Sequence, residues 1–245
     1  MQPARIAELL KPFLSPAPTS NRCHSEPAQS GGEEPAVLSP AQLHHISTYI
    51  DILVRWNARI NLTAIRDEEQ IVTRHFGESL FAARHLFAKP STVVKDFDSA
   101  NDPRRTTNGI RIADVGSGAG FPGIPIKLWA PSISLTLIDS NHKKATFLRE
   151  ITRALTLTDV NIQIARAESI QTTFNVVTLR AVERFETILP TAASLVAPGG
   201  RLALLLGSDQ LSQAHALLPS FLWQSPIPIP LSQSRIVVIG DRPST

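Results

Sequence analysis

The stretch Ile112-Ala113-Asp114-Val115-Gly116-Ser117-Gly118-Ala119-Gly120-Phe121-Pro122-Gly123 decides the fold. A short apolar run ends in closely spaced glycines, and an amphipathic segment, residues 124–129, follows at once. Glycines at 116, 118 and 120 remove side chains where a chain must turn sharply off a strand end and where backbone can approach a ligand closely. Outward from this turn, β-rich runs recur at residues 110–115, 134–138, 161–165, 176–179, 201–206 and 235–239. Amphipathic stretches at 143–155, 185–196 and 210–217 lie between most of them. Strands alternating with helices predict an α/β fold: a mostly parallel, Rossmann-like sheet with helices on both faces. The link at 230–234, between 223–229 and 235–239, is too short for a crossover helix, so the last strand is expected to run antiparallel to its neighbour.

Upstream of the sheet the pattern is helical. Ser39-Pro40 supplies an N-cap and a first-turn proline, and Leu43, Ile46, Ile50, Leu53 and Val54 recur at helical spacing. A second helix is expected near Asp67, with Glu68 and Glu69 in its first turn and Ile71, Val72, His75, Phe76, Leu80 and Phe81 along its stripe. Two stretches, 12–40 and 89–108, are rich in Pro, Ser, Gly or Asp and read as a flexible linker and a surface loop. The chain therefore divides into an N-terminal extension and linker (1–38), a small helical cap (39–88), a loop (89–109) and a sheet domain (110–245).

Among 245 residues, 42% are hydrophobic and 18% charged, which excludes wholesale disorder. A single cysteine, Cys23, excludes an intramolecular disulfide and a Cys-rich zinc site, and no metal site is expected. No apolar run approaches the ~18 residues of a membrane span, and the start has no signal-peptide core. A cytoplasmic protein without membrane contact is expected. The net charge of +3 permits a polyanionic partner without demanding one.

The glycine turn does not match a dinucleotide fingerprint, because Gly-x-Gly-x-x-Gly begun at Gly116 meets Phe121 and begun at Gly118 ends inside a Phe-Pro-Gly-Ile-Pro turn. Pro122 and Pro125 leave few N–H groups for a pyrophosphate. The turn suits a nucleoside without phosphates. Asp139, closing the second strand, is placed to accept ribose hydroxyl protons, or alternatively to cap the next helix. Ala167 and Glu168 follow the third strand, where adenine contacts belong, with a solvated loop as the alternative. Together these residues point to S-adenosylmethionine. Lys143 and Lys144 open a helix, where cations are disfavoured by roughly 0.3–1 kcal/mol each. A bound phosphate offsets that cost, unless the run is simply solvated. Arg149 and Arg153 extend the same helix. Arg180, after the fourth strand, is positioned to fix a ligand carboxylate or an RNA group, or to form a structural ion pair.

At these residues the chain resembles the bacterial small-subunit ribosomal RNA guanine-N7 methyltransferases, also called glucose-inhibited division protein B. The resemblance covers about residues 43–240. In the cap it rests on Trp56-Asn57-Ala58-Arg59-Ile60-Asn61-Leu62-Thr63-Ala64-Ile65-Arg66-Asp67 and Arg74-His75-Phe76. In the sheet it rests on the run from Asp114 to Pro125, then Leu137-Ile138-Asp139-Ser140, Lys143-Lys144, Phe147-Leu148-Arg149, Arg180-Ala181 and Pro198-Gly199-Gly200-Arg201. It implies a class I S-adenosylmethionine-dependent methyltransferase fold with an N-terminal helical cap. It also implies methyl transfer to N7 of a guanine in the decoding region of 16S rRNA, guanine 527 in the family. Its cofactor positions fall on Gly116, Phe121, Ala167, Glu168 and Arg180, joined by Gly118, Gly120 and Asp139 of the same turn and strand end. Arg180 is the expected catalytic residue. Lys143, Lys144, Arg66 and His75 are the expected rRNA contacts, and Asn61 belongs to the same polar signature. Asn61 as a turn cap and His75 as packing are the structural alternatives. The chain departs from the family at Leu206-Gly207 and at Gly240-Asp241, where a lysine is usual, and at Glu78, where aspartate is usual.

The chemistry asks little of side chains. Guanine N7 exposes a lone pair in the major groove and needs no proton removed, so direct in-line transfer at an approach of about 3–3.5 Å is mainly alignment. No general base, covalent intermediate or metal is expected. A monomer acting on 16S rRNA or the small ribosomal subunit is the expected form. A nicotinamide-dependent oxidoreductase, a non-catalytic ribosome-associated protein and a small-molecule methyltransferase are the rivals.

Overall fold

Strand β1 (Arg111–Val115) lies inside one eight-stranded sheet, between β2 (Ser134–Ile138) and β4 (Phe174–Arg180). The computed structural model describes residues 1–15, 37–87, 109–180 and 184–244. The expected linker with Cys23 falls mainly at 16–36, and the expected loop with Arg104 and Arg105 at 88–108, both outside the described residues. Adding β3 (Val160–Gln163), β5 (Val196–Gly207), β6 (Leu222–Trp223), β7 (Ile227–Pro228) and β8 (Arg235–Asp241), the order is β3-β2-β1-β4-β5-β8-β6, with β7 also on β8. β3, β2, β1, β4 and β5 are parallel, and β8 is antiparallel to β5. The antiparallel close matches the reading of the short 230–234 link. The expected strand at 223–229 is instead two short pieces, because Pro226, Pro228 and Pro230 offer no N–H to the ladder.

Alternating residues send the sheet's two faces into two cores. Ile112, Leu135, Leu137, Val176, Ala203 and Leu205 share one core with α5 (Gly123–Trp129), α6 (His142–Ala154) and the N-terminal helices. Ala113, Val115, Val177, Leu179, Leu202 and Leu204 share the other with α7 (Phe185–Ser194) and α8 (Leu211–Leu217). Chain direction across the sheet reverses between β1 and β4. Outside the carboxyl ends of the strands, that is where open α/β sheets bind ligands.

The cap starts earlier than its sequence suggests. Helix α1 (Pro3–Leu14) runs through Pro12, and Ile6, Leu10, Phe13 and Leu14 are buried in the same core as the sheet. Helix α2 (Pro40–Asn57) opens on the expected Ser39 cap, in a reciprocal capping box with Gln42. Asp67 caps α3 (Glu68–Gln70) by accepting from Gln70 N at 2.8 Å. The chain then passes through a π-helical segment, Ile71–Gly77, into α4 (Glu78–Leu86). Gly77 permits the close packing of α1, since a Cβ there would lie 2.6 Å from the Phe13 ring.

Candidate active site

The glycine turn leaves β1 as the spacing predicts, with Gly116, Gly118 and Gly120 all at positive φ (68°, 54° and 84°). Five amides of this turn, those of Gly116, Ser117, Gly118, Gly120 and Gly123, are consumed within the protein. Gly116 N and Ser117 N donate to Ile138 O at 2.9 and 3.0 Å, and Gly120 N to Ser117 O at 2.6 Å. Gly118 N donates to Asp139 Oδ2 at 2.9 Å, and Gly123 N to Asp114 Oδ2 at 3.1 Å. Pro122 has no N–H to give. Asp114 also accepts from Thr178 Oγ1 at 2.8 Å. Burial pushes its carboxyl up to about 6 against the pull of those hydrogen bonds. Asp114 thus braces the turn from beneath. The sequence signal for it was an acidic residue facing inward on an otherwise apolar strand.

Beside the turn, at the carboxyl ends of β1 and β2 and just beyond β3, is a cleft of about 470 Å³. Gly116, Asp139, Ala167 and Glu168 all line it, with Lys144, Arg166 and Arg184 also on its wall. Four expected ligand-binding residues from separate strand ends therefore converge. Gly118 reaches the cleft through its bond to Asp139. Asp139 does not cap α6; Asn141 does, accepting from Lys143 N and Lys144 N at 2.9 and 3.3 Å. Asp139 Oδ1 accepts from Asn141 N at 2.8 Å, and Lys144 Nζ stands 3.9 Å from Oδ2. Lys143 is exposed beside it.

Gly120, Phe121 and Arg180 do not line this cleft. They face the cap. A Cβ on Gly120 would lie 2.5 Å from the Tyr49 hydroxyl, which donates to Ala119 O. The Phe121 ring stacks on Tyr49 (5.3 Å, 8°) and on His75 (4.7 Å, 20°). Arg180 ends β4 inside a knot of charge. Its Nη2 donates to Arg74 O at 2.6 Å and to Glu78 Oε2 at 3.2 Å, and its Nη1 lies 3.1 Å from His75 Nδ1. Glu78, 1% exposed, also accepts from Arg235 Nε at 2.9 Å and pairs with Arg74 at 3.4 Å. Burial, opposed by Glu78, lowers the Arg180 pKa to about 10. Burial first, and then Arg180, Arg74 and Arg235, lower that of His75 to about 3.

Two readings of the cap change. His75 was expected to contact RNA, but it is buried with both ring nitrogens engaged, the second with Thr63 Oγ1 at 2.7 Å. The turn after α2 is closed by Asn57 rather than Asn61. Asn57 Oδ1 accepts from Leu62 N and Thr63 N, and its Nδ2 donates to Thr63 O at 2.9 Å. Arg66 is exposed and braces this turn, donating to Asn57 O at 2.7 Å and Asn61 Oδ1 at 3.3 Å. Arg235 and Glu78 are the site residues that motif reasoning missed as a pair, since they lie far apart in sequence and only the fold joins them.

A family model described as rRNA small subunit methyltransferase G matches residues 42–228. Curated proteins named ribosomal RNA small subunit methyltransferase G are similar over most of the chain. The protein from Chloroflexus aggregans is 34% identical over 215 residues, 82% of each chain. That from Halorhodospira halophila is 36% identical over 210 residues, 84% of this chain and 90% of its own. That from Bacillus subtilis is 33% identical over 185 residues, 73% and 70%. Among solved structures, a ribosomal protein L11 methylase from Lactobacillus delbrueckii matches with TM-score 0.53 and 16% identity, over 69% of this chain and 79% of its own. A protein titled a predicted O-methyltransferase from Agrobacterium tumefaciens matches with TM-score 0.50 and 20% identity, over 67% and 79%. These two carry the fold: a class I methyltransferase sheet.

Proposed function

The chain belongs to the rRNA small subunit methyltransferase G family and is an S-adenosylmethionine-dependent rRNA methyltransferase; from that premise we propose that its acceptor is N7 of a guanine in the decoding region of 16S rRNA, guanine 527 in the family. The observation that carries the reading is the cleft where Gly116, Asp139, Ala167 and Glu168 meet. Its size is that of a small-molecule site. With the amides of Gly116, Ser117, Gly118, Gly120 and Gly123 already spent and Pro122 without one, the turn fits a ligand without phosphates better than a dinucleotide, whose pyrophosphate needs several free N–H donors.

S-adenosylmethionine, when bound, supplies a methyl group on a cationic sulfur, ready to leave. Asp139 holds the ribose hydroxyls with the oxygen lone pairs that Gly118 N and Asn141 N leave open. Ala167 and Glu168 wall the adenine end. The bare turn at Gly116 and Gly118 lets backbone approach the ligand, while the bare Gly120 makes room for Tyr49 of the cap. Phe121 and Arg180 lie outside the cleft on the side facing the cap, and Arg180 is the cation proposed for the ligand carboxylate. No residue needs to remove a proton from N7, so the protein's work is alignment and exclusion of water. Lys143 and Lys144 at the start of α6, with Arg66 on the cap turn, hold RNA phosphates. A monomer that meets its ribosomal substrate in the cytoplasm is part of this proposal.

Calorimetric titration with S-adenosylmethionine and with NAD tests the cofactor. Binding of the first alone is expected, and binding of NAD alone would overturn the reading. Gly116→Val, which puts a branched side chain on the cleft wall, is expected to abolish S-adenosylmethionine binding, with thermal melting separating lost binding from the strain of a β-branched residue at φ 68°.

A further inference from the structure

The π-helical segment and the first residue of α4 set three acceptors around the Arg180 guanidinium: Arg74 O, His75 Nδ1 and Glu78 Oε2. A guanidinium only donates. His75 Nδ1 must therefore offer its lone pair, and the ring proton sits on Nε2, donating to Thr63 Oγ1. Thr63 Oγ1 also accepts from Ile65 N at 3.1 Å, within the turn that Asn57 closes. The same imidazole lies against the Phe121 ring. One side chain thus touches the polar turn of the cap, the glycine-rich turn and the end of β4.

Arg180 needs such an orienting contact. Three arginines share the Glu78 carboxylate, and Arg180 Nε and Arg235 Nη2 are buried without partners. With one anion among three cations, the carboxylate has several pairings open to it and does not by itself fix the Arg180 guanidinium. A second carboxylate would settle the choice but neutralise Arg180. A neutral acceptor fixes its direction and leaves its charge for a ligand.

We propose that His75 is a positioning residue for cofactor binding: its Nδ1 lone pair aims Arg180, its ring face seats Phe121, and its Nε2 proton ties both to the cap turn at Thr63. This rests on the reading that Arg180 and Phe121 meet S-adenosylmethionine. A π-helical insertion is a common means of turning such a side chain into a functional site.

The test is S-adenosylmethionine affinity, measured by calorimetry on the full chain with thermal melting as the check on folding. His75→Phe keeps a stacking ring and loses the acceptor. It is expected to weaken binding about tenfold, the loss of one hydrogen bond to a charged group, and to leave affinity for naked 16S rRNA unchanged. Arg180→Met is expected to weaken binding at least as much. The double variant should bind no more weakly than Arg180→Met alone, because His75 acts through Arg180. Thr63→Val, a milder change, should weaken binding about threefold with the fold intact, so the proposal stays open to refutation if Arg180→Met fails to fold. Fully additive losses, wild-type binding by His75→Phe, or lost rRNA affinity with cofactor affinity unchanged would each overturn the positioning role. If Arg180→Met and Phe121→Ala both bind S-adenosylmethionine as the wild type does, the placement of the cofactor itself is wrong, and the positioning role falls with it.

Discussion

Asp139 braces the glycine turn and is the proposed ribose contact. Each of its oxygens accepts one backbone amide, which fixes the carboxylate at the cleft edge with lone pairs to spare. Asp139→Ala is expected to lower S-adenosylmethionine affinity about 30-fold, measured by calorimetry. A change below about twofold would remove it from the site. His75 carries a different signature. Its pKa is near 6.5 when unfolded and about 3 when folded. Between those values the unfolded chain binds the proton and the folded chain does not, so stability falls as pH drops through that window. The loss by pH 4 is on the order of 3 kcal/mol. Asp114 acts oppositely. Its pKa is raised from 3.8 to about 6, so its burial penalty is relieved as pH falls through that range. The two act against each other, so removing His75 isolates its share of the acid response. Denaturant unfolding at pH 7 and pH 4.5 should show a flatter profile for His75→Phe than for the wild type. At this scale the glycines, Asp139 and Glu168 were legible because motif spacing places them at strand ends. The burial of His75 was not, because a polar side chain on an apolar stripe reads equally as contact or core.

Among elements, the junction of the π-helical segment with α4 matters most. Glu78 is the buried counterion of Arg180 and Arg235. Glu78→Gln strips the charge and leaves the arginines facing one another, at an expected cost of about 3–5 kcal/mol, seen as a large drop in the denaturation midpoint. Stability within 1 kcal/mol or so of the wild type would mean that water reaches this knot. The helix near Asp67 was legible from its cap and first-turn acids. The π-helical register was not, since helical periodicity persists across one wide turn. Helix α6 makes a separate prediction. Asn141 caps its N-terminus, Lys144 leans 3.9 Å from Asp139, and Lys143 is exposed, so both cations sit at a helix end that disfavours them. Reversing both to Glu should weaken rRNA binding and reduce its salt slope by roughly 2. An unchanged slope would return them to a solvated face.

At the scale of the molecule, cap and sheet share one hydrophobic core that begins at Ile6. Phe13→Ala is therefore expected to cost about 3–5 kcal/mol, although Phe13 does not line the cleft. The mostly parallel sheet and its antiparallel close followed from strand–helix alternation and one short link, whereas the strand order, set by long-range pairing, did not. The docking of α1 did not, because twelve amphipathic residues before a Pro- and Ser-rich run carry no information about their partner. The central claim, methyl transfer to one guanine N7, is tested most directly on unmodified small ribosomal subunits. They would be incubated with the protein and labelled S-adenosylmethionine, and the rRNA then cleaved by borohydride and aniline, which cut at 7-methylguanine. A single new cleavage in the decoding region, with stoichiometric label, is the predicted result. Label incorporated without cleavage, or cleavage at many guanines, would contradict it.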